Sequence, residues 1–153
     1  MGEVATTGAA ASVSAPESRA AAPAQPVQPG NERDAYTVAF DMMRARQFEE
    51  SIQAFTAFLQ QYPDGVYSAN AHYWLGELHL AGNDLEQARQ SFTQVVNGFP
   101  EHQKVADALY KLGVTQHRLG DTQRALEFLN RVQAEFPNSS AAGLASTYAA
   151  ELQ

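Results

Sequence analysis

The sequence predicts an all-α solenoid of three 37-residue helix-turn-helix repeats followed by a C-terminal capping helix. An aromatic residue followed by proline recurs at an interval of 37 residues, at Tyr62-Pro63, Phe99-Pro100 and Phe136-Pro137. Shifting the chain by the same interval superimposes further residues of one kind, including Tyr36, Tyr73 and Tyr110. A fixed period of roughly 20 to 50 residues is the signature of stacked repeats, in which each unit buries its apolar face against its neighbours.

Each repeat has the apolar spacing of two consecutive helices. In the middle repeat, Leu75 and Leu78 lie on one face of the first helix. The same pattern predicts helices near 32–45, 48–61, 67–81, 85–97, 104–118 and 122–134, and a capping helix over about 139–152. The repeats themselves are expected to span about 31–66, 67–103 and 104–138. In the last helix the large apolar residues follow a different stripe, as expected of a solenoid cap.

Two local features place the helix junctions and crossings. Asn83-Asp84 and Gly120-Asp121 occupy equivalent positions. Asn or Gly suits the left-handed residue that ends a helix, and Asp suits the N-cap of the next one. Small residues recur where the two helices of a repeat should cross, at Ala39, Gly76 and Gly113 in the first helices and at Ser51, Ala88 and Ala125 in the second. Glycine inside a helix costs about 1 kcal/mol relative to alanine, so its recurrence indicates a close approach of backbones.

Residues 1–30 have the composition of a disordered Ala/Pro-rich linker. They hold nine Ala and four Pro, and no aromatic residue, Leu or Ile. Such a segment cannot bury enough apolar surface to offset the entropy of ordering it. The first basic residue is Arg19, so no cleavable signal peptide is expected. We expect this segment to link the repeats to a preceding part of a longer protein.

The composition excludes several function classes. The 153 residues contain no Cys, which excludes disulfides, Cys-ligated zinc, iron–sulfur clusters and thiol nucleophiles. A net charge of −7 without a basic block argues against a nucleic-acid partner, and no apolar run is long enough for membrane insertion. His72 and His79 are accompanied by no zinc motif, and no nucleophile elbow, P-loop or dinucleotide motif is present. We therefore expect no catalytic residue, no metal site and no cofactor.

The residues that recur with the 37-residue period resemble the tetratricopeptide repeat (TPR). The family motif of Leu-Gly, small Ala, Phe and Pro is present as Leu75-Gly76, Ala88, Phe92 and Pro100, and again as Leu112-Gly113, Ala125, Leu129 and Pro137. The usual TPR period is about 34 residues, and the longer period found here resembles that of bacterial envelope TPR proteins. Residues 31–153, preceded by an Ala/Pro linker, resemble the C-terminal domain of the YbgF (CpoB) family of the Tol-Pal system. The family's N-terminal trimeric coiled coil has no counterpart in residues 1–30, which carry no heptads.

The resemblance implies a non-catalytic protein-interaction module in the periplasm of a Gram-negative bacterium. YbgF-like proteins bind the inner-membrane protein TolA, and associate with a bifunctional penicillin-binding protein and its lipoprotein activator. These contacts imply a role in coordinating septal peptidoglycan synthesis with outer-membrane constriction during cell division. The full-length family protein is a trimer through its coiled coil. For the repeats alone we expect a monomer or a weak oligomer.

In TPR folds, one stripe of the first helix of each repeat usually faces a concave groove. Here that stripe comprises Tyr36, Phe40, Met43, Tyr73, Glu77, Leu80, Tyr110, Val114 and His117. It could form an amphipathic platform for an extended or helical peptide. Alternatively, the tyrosines pack between adjacent repeats and expose only their hydroxyls. The stripe does not carry the Lys, Asn and Arg set with which chaperone-binding TPR domains hold a C-terminal carboxylate. A second stripe, including Val38, Leu75 and Leu112, is expected to form the core within each repeat.

Two other functions remain compatible with the sequence. A TPR-type outer-membrane assembly lipoprotein would need a lipidated N-terminal Cys, which this chain does not contain. A regulatory TPR domain of an envelope enzyme would contain the same repeats, with the catalytic region in another part of the protein. What precedes the repeats in the native protein would separate these alternatives.

Overall fold

The computed structural model describes residues 29–153, which form seven α-helices and no strand. The helices are α1 (Pro29–Arg44), α2 (Phe48–Gln61), α3 (Ser68–Ala81), α4 (Leu85–Gly98), α5 (Val105–Arg118), α6 (Thr122–Glu135) and α7 (Ser140–Glu151). The all-α class is confirmed. Six helices begin and end within one residue of the positions expected from the repeat pattern.

The start of α1 differs from the expectation. The helix begins at Pro29 rather than near residue 32, so the last two residues of the expected linker belong to it. Proline fits the first turn of a helix because its φ is already helical and its missing N–H would have no partner there. The rest of the expected linker, residues 1–28, lies outside the described residues.

Each helix packs against the next one in the chain, and α7 also contacts α5. We call α1, α3, α5 and α7 the A helices and α2, α4 and α6 the B helices. Buried side chains form two clusters that meet at Trp74: one joins α1, α2 and α3, and the other runs from α3 to α7. The hydrophobic core is therefore continuous along the stack, as expected when each repeat buries its apolar face against the next.

The crossing of the two helices in each repeat is as close as the glycines indicate. A Cβ atom on Gly76 would lie 2.5 Å from Cε1 of Phe92, and one on Gly113 would lie 2.6 Å from Cδ2 of Leu129. In the first repeat Ala39 takes the glycine position, and its carbonyl oxygen accepts a hydrogen bond from Ser51 Oγ at 2.8 Å. Aromatic or aliphatic side chains thus fill the space that a side chain on the A helix would otherwise need.

The junctions between A and B helices use the backbone conformation expected. Asn83 and Gly120 have φ values of 61° and 91°, in the left-handed region. Asp121 caps α6, accepting a hydrogen bond from the Arg124 backbone N–H at 3.0 Å. Asp84 is the N-cap residue of α4, as expected, but its side chain accepts no hydrogen bond from that helix. Its carboxylate instead lies 3.4 Å from Nδ1 of His79 at the end of α3.

One residue expected in the core is exposed. Val38 lies on the α1 position equivalent to Leu75 and Leu112, but it is 53% exposed. Leu75 belongs to the cluster that contains Phe55 of the preceding α2, and Leu112 belongs to the cluster that contains Val95 of the preceding α4. Within the described part of the chain no B helix precedes α1, so Val38 has no such surface to cover it.

The glycine crossing gives a matched pair of substitutions. Gly76→Ala should lower the free energy of unfolding by about 1–3 kcal/mol, because the new methyl group overlaps the buried Phe92 ring. Gly143→Ala in α7 meets no atom within 4 Å and should raise it by up to about 1 kcal/mol through helix propensity. Urea denaturation of both variants measures the difference, and equal effects would contradict a steric role for Gly76.

Burial of histidine predicts a pH dependence of stability. Desolvation lowers the pKa of His72 below its usual value of 6.5, and burial together with the charge of Lys104 lowers the pKa of His102. The unfolded chain therefore binds more protons as the pH falls through about 6.5, and the free energy of unfolding should decrease.

We expect the melting temperature to fall from about pH 7.5 to about pH 5.5, and His72→Gln to reduce that fall. Adding His102→Gln should reduce it further. Thermal melts followed by circular dichroism at both pH values provide the measurement. An unchanged pH dependence in the double variant would assign the effect to other groups.

Candidate peptide-binding groove

The nine residues expected to line a groove lie on one face of the A helices α1, α3 and α5, which we call the inner face. Tyr73 and Leu80 are buried, each only 7% exposed, and belong to the core. The other seven are partly exposed. Burial also raises the pKa of Tyr73 well above its usual value. Of the two alternatives expected from the sequence, Tyr73 therefore follows the second: it packs between neighbouring helices and is not part of an open platform.

Successive A helices contact each other on the inner face along three lines, which we call the first (α1 and α3), central (α3 and α5) and last (α5 and α7) seams. In the first seam, the ring of Tyr67 stacks on that of Tyr36 with centroids 4.9 Å apart. Trp74 Nε1 donates a hydrogen bond to the Tyr36 hydroxyl at 3.0 Å, and the Trp74 ring lies edge-on to Phe40 at 5.5 Å. The first seam is thus a connected aromatic surface.

The central seam begins with a cation held over aromatic rings. Lys104, at the start of α5, places Nζ 4.5 Å from the centroid of the Tyr73 ring and 5.3 Å from that of Trp74. The same amine lies 3.8 Å from the carboxylate of Asp107. Attraction of a cation to the face of an aromatic ring is worth about 0.5–2 kcal/mol, so Lys104 helps to hold α5 against α3.

Two further cations of α5 complete the central seam. Lys111 Nζ pairs with Glu77 Oε1 across the seam at 3.0 Å, and both side chains are 26% exposed. Arg118 donates from Nη1 to the Leu80 carbonyl oxygen at 3.2 Å and from Nη2 to Asn83 Oδ1 at 2.9 Å. The central seam therefore consists of polar contacts made by a line of basic residues.

The last seam joins the capping helix to α5. The hydroxyl of Tyr148 lies 2.7 Å from Nδ1 of His117. The rings of Tyr110 and Tyr148 meet edge-on with centroids 6.4 Å apart. Burial raises the pKa of Tyr148 above its usual value. The capping helix thus supplies an aromatic residue to the inner face and extends it beyond the third repeat.

The stripe defined from the sequence contains one partner of each seam contact, namely Tyr36, Glu77 and His117, but it missed the residue on the following A helix that meets it. Trp74, Lys111 and Tyr148 occupy one position in three successive A helices, separated by 37 residues each time. That position reaches back to the preceding A helix in every case. The period itself could have identified the position, but Lys111 stands between two aromatic residues, so a search for like residues in all three repeats passes over it.

The inner face presents aromatic rings and charged side chains side by side. Within residues 29–153, no group of three or more His, Asp or Glu side chains is placed to hold a metal ion. None of the helices in that range is long and apolar enough to cross a membrane. Partly exposed aromatic rings beside charged side chains suit recognition of a polypeptide segment.

The repeat geometry agrees with comparisons against known protein families. Two family models, both described as tetratricopeptide repeat, match residues 41–102 and 107–139. These two segments of the chain are therefore tetratricopeptide repeats. The fold class predicted from the 37-residue period is thereby confirmed.

Curated relatives point to a particular group of TPR proteins. The chain is 47% identical over 62 residues to the cell division coordinator CpoB of Pseudomonas putida, which covers 40% of this chain and 23% of that protein. It is 39% identical over 56 residues to CpoB of Escherichia coli K12, covering 35% of this chain and 21% of that protein. The resemblance to the YbgF (CpoB) family is confirmed. The matched region spans less than a quarter of the length of these relatives.

Solved structures share the fold at low sequence identity. The first TPR of Spaghetti (RPAP3), bound to the HSP90 peptide SRMEEVD, has a TM-score of 0.68 and 13% identity, covering 82% of this chain and 93% of that one. A TPR protein from Parabacteroides merdae has a TM-score of 0.69 and 17% identity, covering 84% of this chain and 48% of that one. At these identities the likeness concerns the fold alone.

The first seam predicts a specific effect of removing one hydroxyl. Tyr36→Phe should lower the free energy of unfolding by about 0.5–1.5 kcal/mol, because it deletes the acceptor of the Trp74 hydrogen bond. It should also shift the fluorescence of Trp74, the one tryptophan in the chain. Tyr67→Phe is the control, since it keeps the stacked rings and the Trp74 bond. Identical spectra and stabilities for both variants would show that the hydrogen bond contributes nothing.

Proposed function

We propose that the chain is a non-catalytic protein-interaction module of the Tol-Pal system in the periplasm of a Gram-negative bacterium. In this role it binds TolA and helps to coordinate septal peptidoglycan synthesis with outer-membrane constriction during cell division. A bifunctional penicillin-binding protein and its lipoprotein activator are further proposed partners. The similarity to two proteins named cell division coordinator CpoB, both from Gram-negative bacteria, carries the proposal. It also favours this role over an assembly lipoprotein or a regulatory domain of an enzyme.

We also propose a domain organisation, supported by the positions of the helices and by the composition of the first residues. Helices α1 to α7 act as the TPR domain, and the residues that precede α1 act as a linker to the rest of a longer protein. The isolated chain is a monomer or weak oligomer. Such an arrangement lets the repeats reach a partner while the remainder of the protein is held elsewhere.

We assign partner binding to the inner face. Phe40, Tyr110 and Val114 remain partly exposed there after packing against neighbouring helices. Large aromatic side chains on a rigid helical face are effective anchors, because little conformational entropy is lost when a partner covers them. Tyr73 and Leu80 are assigned a supporting role, since both are buried beneath this face.

Titration calorimetry with the periplasmic helical region of TolA tests both the partner and the face. We expect the wild-type chain to bind, and Tyr110→Ala to weaken binding at least about tenfold, as truncation of an interface anchor does. Phe48→Ala is the matched control, because Phe48 is 50% exposed at the start of the B helix α2, outside the inner face. Thermal melts establish that both variants fold.

Three other outcomes would change the proposal in different ways. Absence of binding by the wild-type chain would remove TolA as a partner. Binding that Tyr110→Ala leaves intact would move the site away from the inner face. Equal losses in Tyr110→Ala and Phe48→Ala would show that the effect is not confined to one surface.

A further inference from the structure

The central seam is basic in a chain that is acidic. The net charge is −7, and the chain contains ten Lys and Arg residues in total. Three of the ten, Lys104, Lys111 and Arg118, follow one another at intervals of seven residues and therefore lie in a line from the N-cap of α5 to its last residue, along one face of the helix. Each of them contacts α3 across the seam. No corresponding line exists at the other two seams, where the position equivalent to Lys111 carries Trp74 and Tyr148.

The contacts made by these cations leave donors free for a ligand. An ammonium group has three N–H donors and a guanidinium has five. Lys111 pairs with one oxygen of Glu77 while its side chain remains 26% exposed. Arg118 uses one N–H on each terminal nitrogen for Leu80 and Asn83, and the residue is exposed. Both side chains are thus held in place by α3 and the turn that follows it, and they can still donate hydrogen bonds to a carboxylate.

The spacing of the two cations sets the spacing of their ligand groups. Lys111 and Arg118 are seven residues apart on one helix, which corresponds to about 10 Å along its axis. Two carboxylates of a partner match this distance on one face when they are seven residues apart in a helix, or three residues apart in a segment of polyproline II conformation, at about 1.5 and 3.1 Å per residue respectively. Aromatic rings flank the pair of cations, with Phe40 in the first seam and Tyr110 in the last.

The local charge outweighs the net charge of the chain in selecting a ligand. Three cations and two carboxylates, those of Glu77 and Asp107, meet in the central seam, so the seam carries a net positive charge. At an ionic strength of about 0.15 M the Debye length is about 8 Å, so acidic residues farther away act weakly on a segment that lies on this seam. A basic segment there would face Lys111 and Arg118, and like charges brought together at an interface are strongly unfavourable. An acidic segment gains two charge-assisted hydrogen bonds instead.

We propose that the central seam is the docking site for an acidic segment of a protein partner, in which two side-chain carboxylates about 10 Å apart bind Lys111 and Arg118. Apolar residues on either side of these carboxylates lie against the first and last seams. This inference rests on the proposed function, because it specifies the ligand of the same face. The ligand groups are internal side chains, since the residue set that holds a C-terminal carboxylate is absent from the stripe.

Selection from a random 12-residue peptide library displayed on phage, against the immobilised full chain, tests the inference without assuming a partner. We expect retained peptides to be enriched in Asp and Glu, with pairs at the spacings given above. Their dissociation constants, measured by fluorescence anisotropy, should rise steeply with salt between about 50 and 300 mM, as binding through ion pairs requires. The double variant Lys111→Gln/Arg118→Gln should bind them at least about tenfold more weakly.

Matched variants separate the site from the overall charge. Arg124→Gln/Arg131→Gln removes the same two charges from α6, a B helix, and should leave binding unchanged. Lys111→Arg keeps the charge and should retain binding. Thermal melts exclude unfolding as the cause of any loss. Lys- or Arg-rich peptides, peptides without charge bias, equal losses in the two double variants, or no retained peptide at all would each overturn the inference.

The same variants distinguish this inference from the proposed function. Acidic peptides that bind at Lys111 and Arg118, together with no binding of TolA, would support the docking site and remove the partner. Binding of TolA that neither salt nor Lys111→Gln/Arg118→Gln affects would support the partner and overturn the docking site.

Discussion

The close crossing of two helices within each repeat is the constraint on which the rest of the structure depends. Phe92 and Leu129 lie where a side chain on Gly76 or Gly113 would have to be. This contact sets how deeply the B helix sits against the A helix and therefore how one repeat is oriented against the next. Because the same contact recurs at an interval of 37 residues, the A helices come to lie side by side. The inner face exists only because that geometry is repeated.

One backbone arrangement thus carries three different surfaces. The position that bridges successive A helices holds Trp74 in the first seam, Lys111 in the central seam and Tyr148 in the last. Stability of the stack tolerates this variety, because aromatic packing, an ion pair and a hydrogen bond can each hold neighbouring helices together. Partner binding, in contrast, depends on which side chain is present, because each seam presents different chemical groups to a partner. Repeat proteins can in this way vary their ligands while keeping their fold.

The helices at the two ends of the stack differ from the inner ones because, within residues 29–153, each lacks one neighbouring helix. Val38 occupies a core position of the repeat but remains exposed, because no B helix precedes α1 in the described residues. At the other end, α7 buries small residues such as Ala145 and Ala149 against its neighbours and contributes Tyr148 to the inner face. A periodic pattern describes the interior of a solenoid well and its ends poorly, since a terminal unit lacks one of its two neighbours.

The sequence by itself determined the helices, their junctions and the helix crossings. Periodicity, left-handed residues such as Asn83 and the recurring glycines act over a few residues or within one repeat, and local signals of that kind can be read from the chain. Only the tertiary structure decided which residues of the inner face are open. Tyr73 and Tyr110 are equivalent in the repeat, yet Tyr73 is buried under Lys104 and beside Phe92, while Tyr110 is partly exposed. The difference arises because the exposure of each depends on side chains of a neighbouring helix, which differ from repeat to repeat.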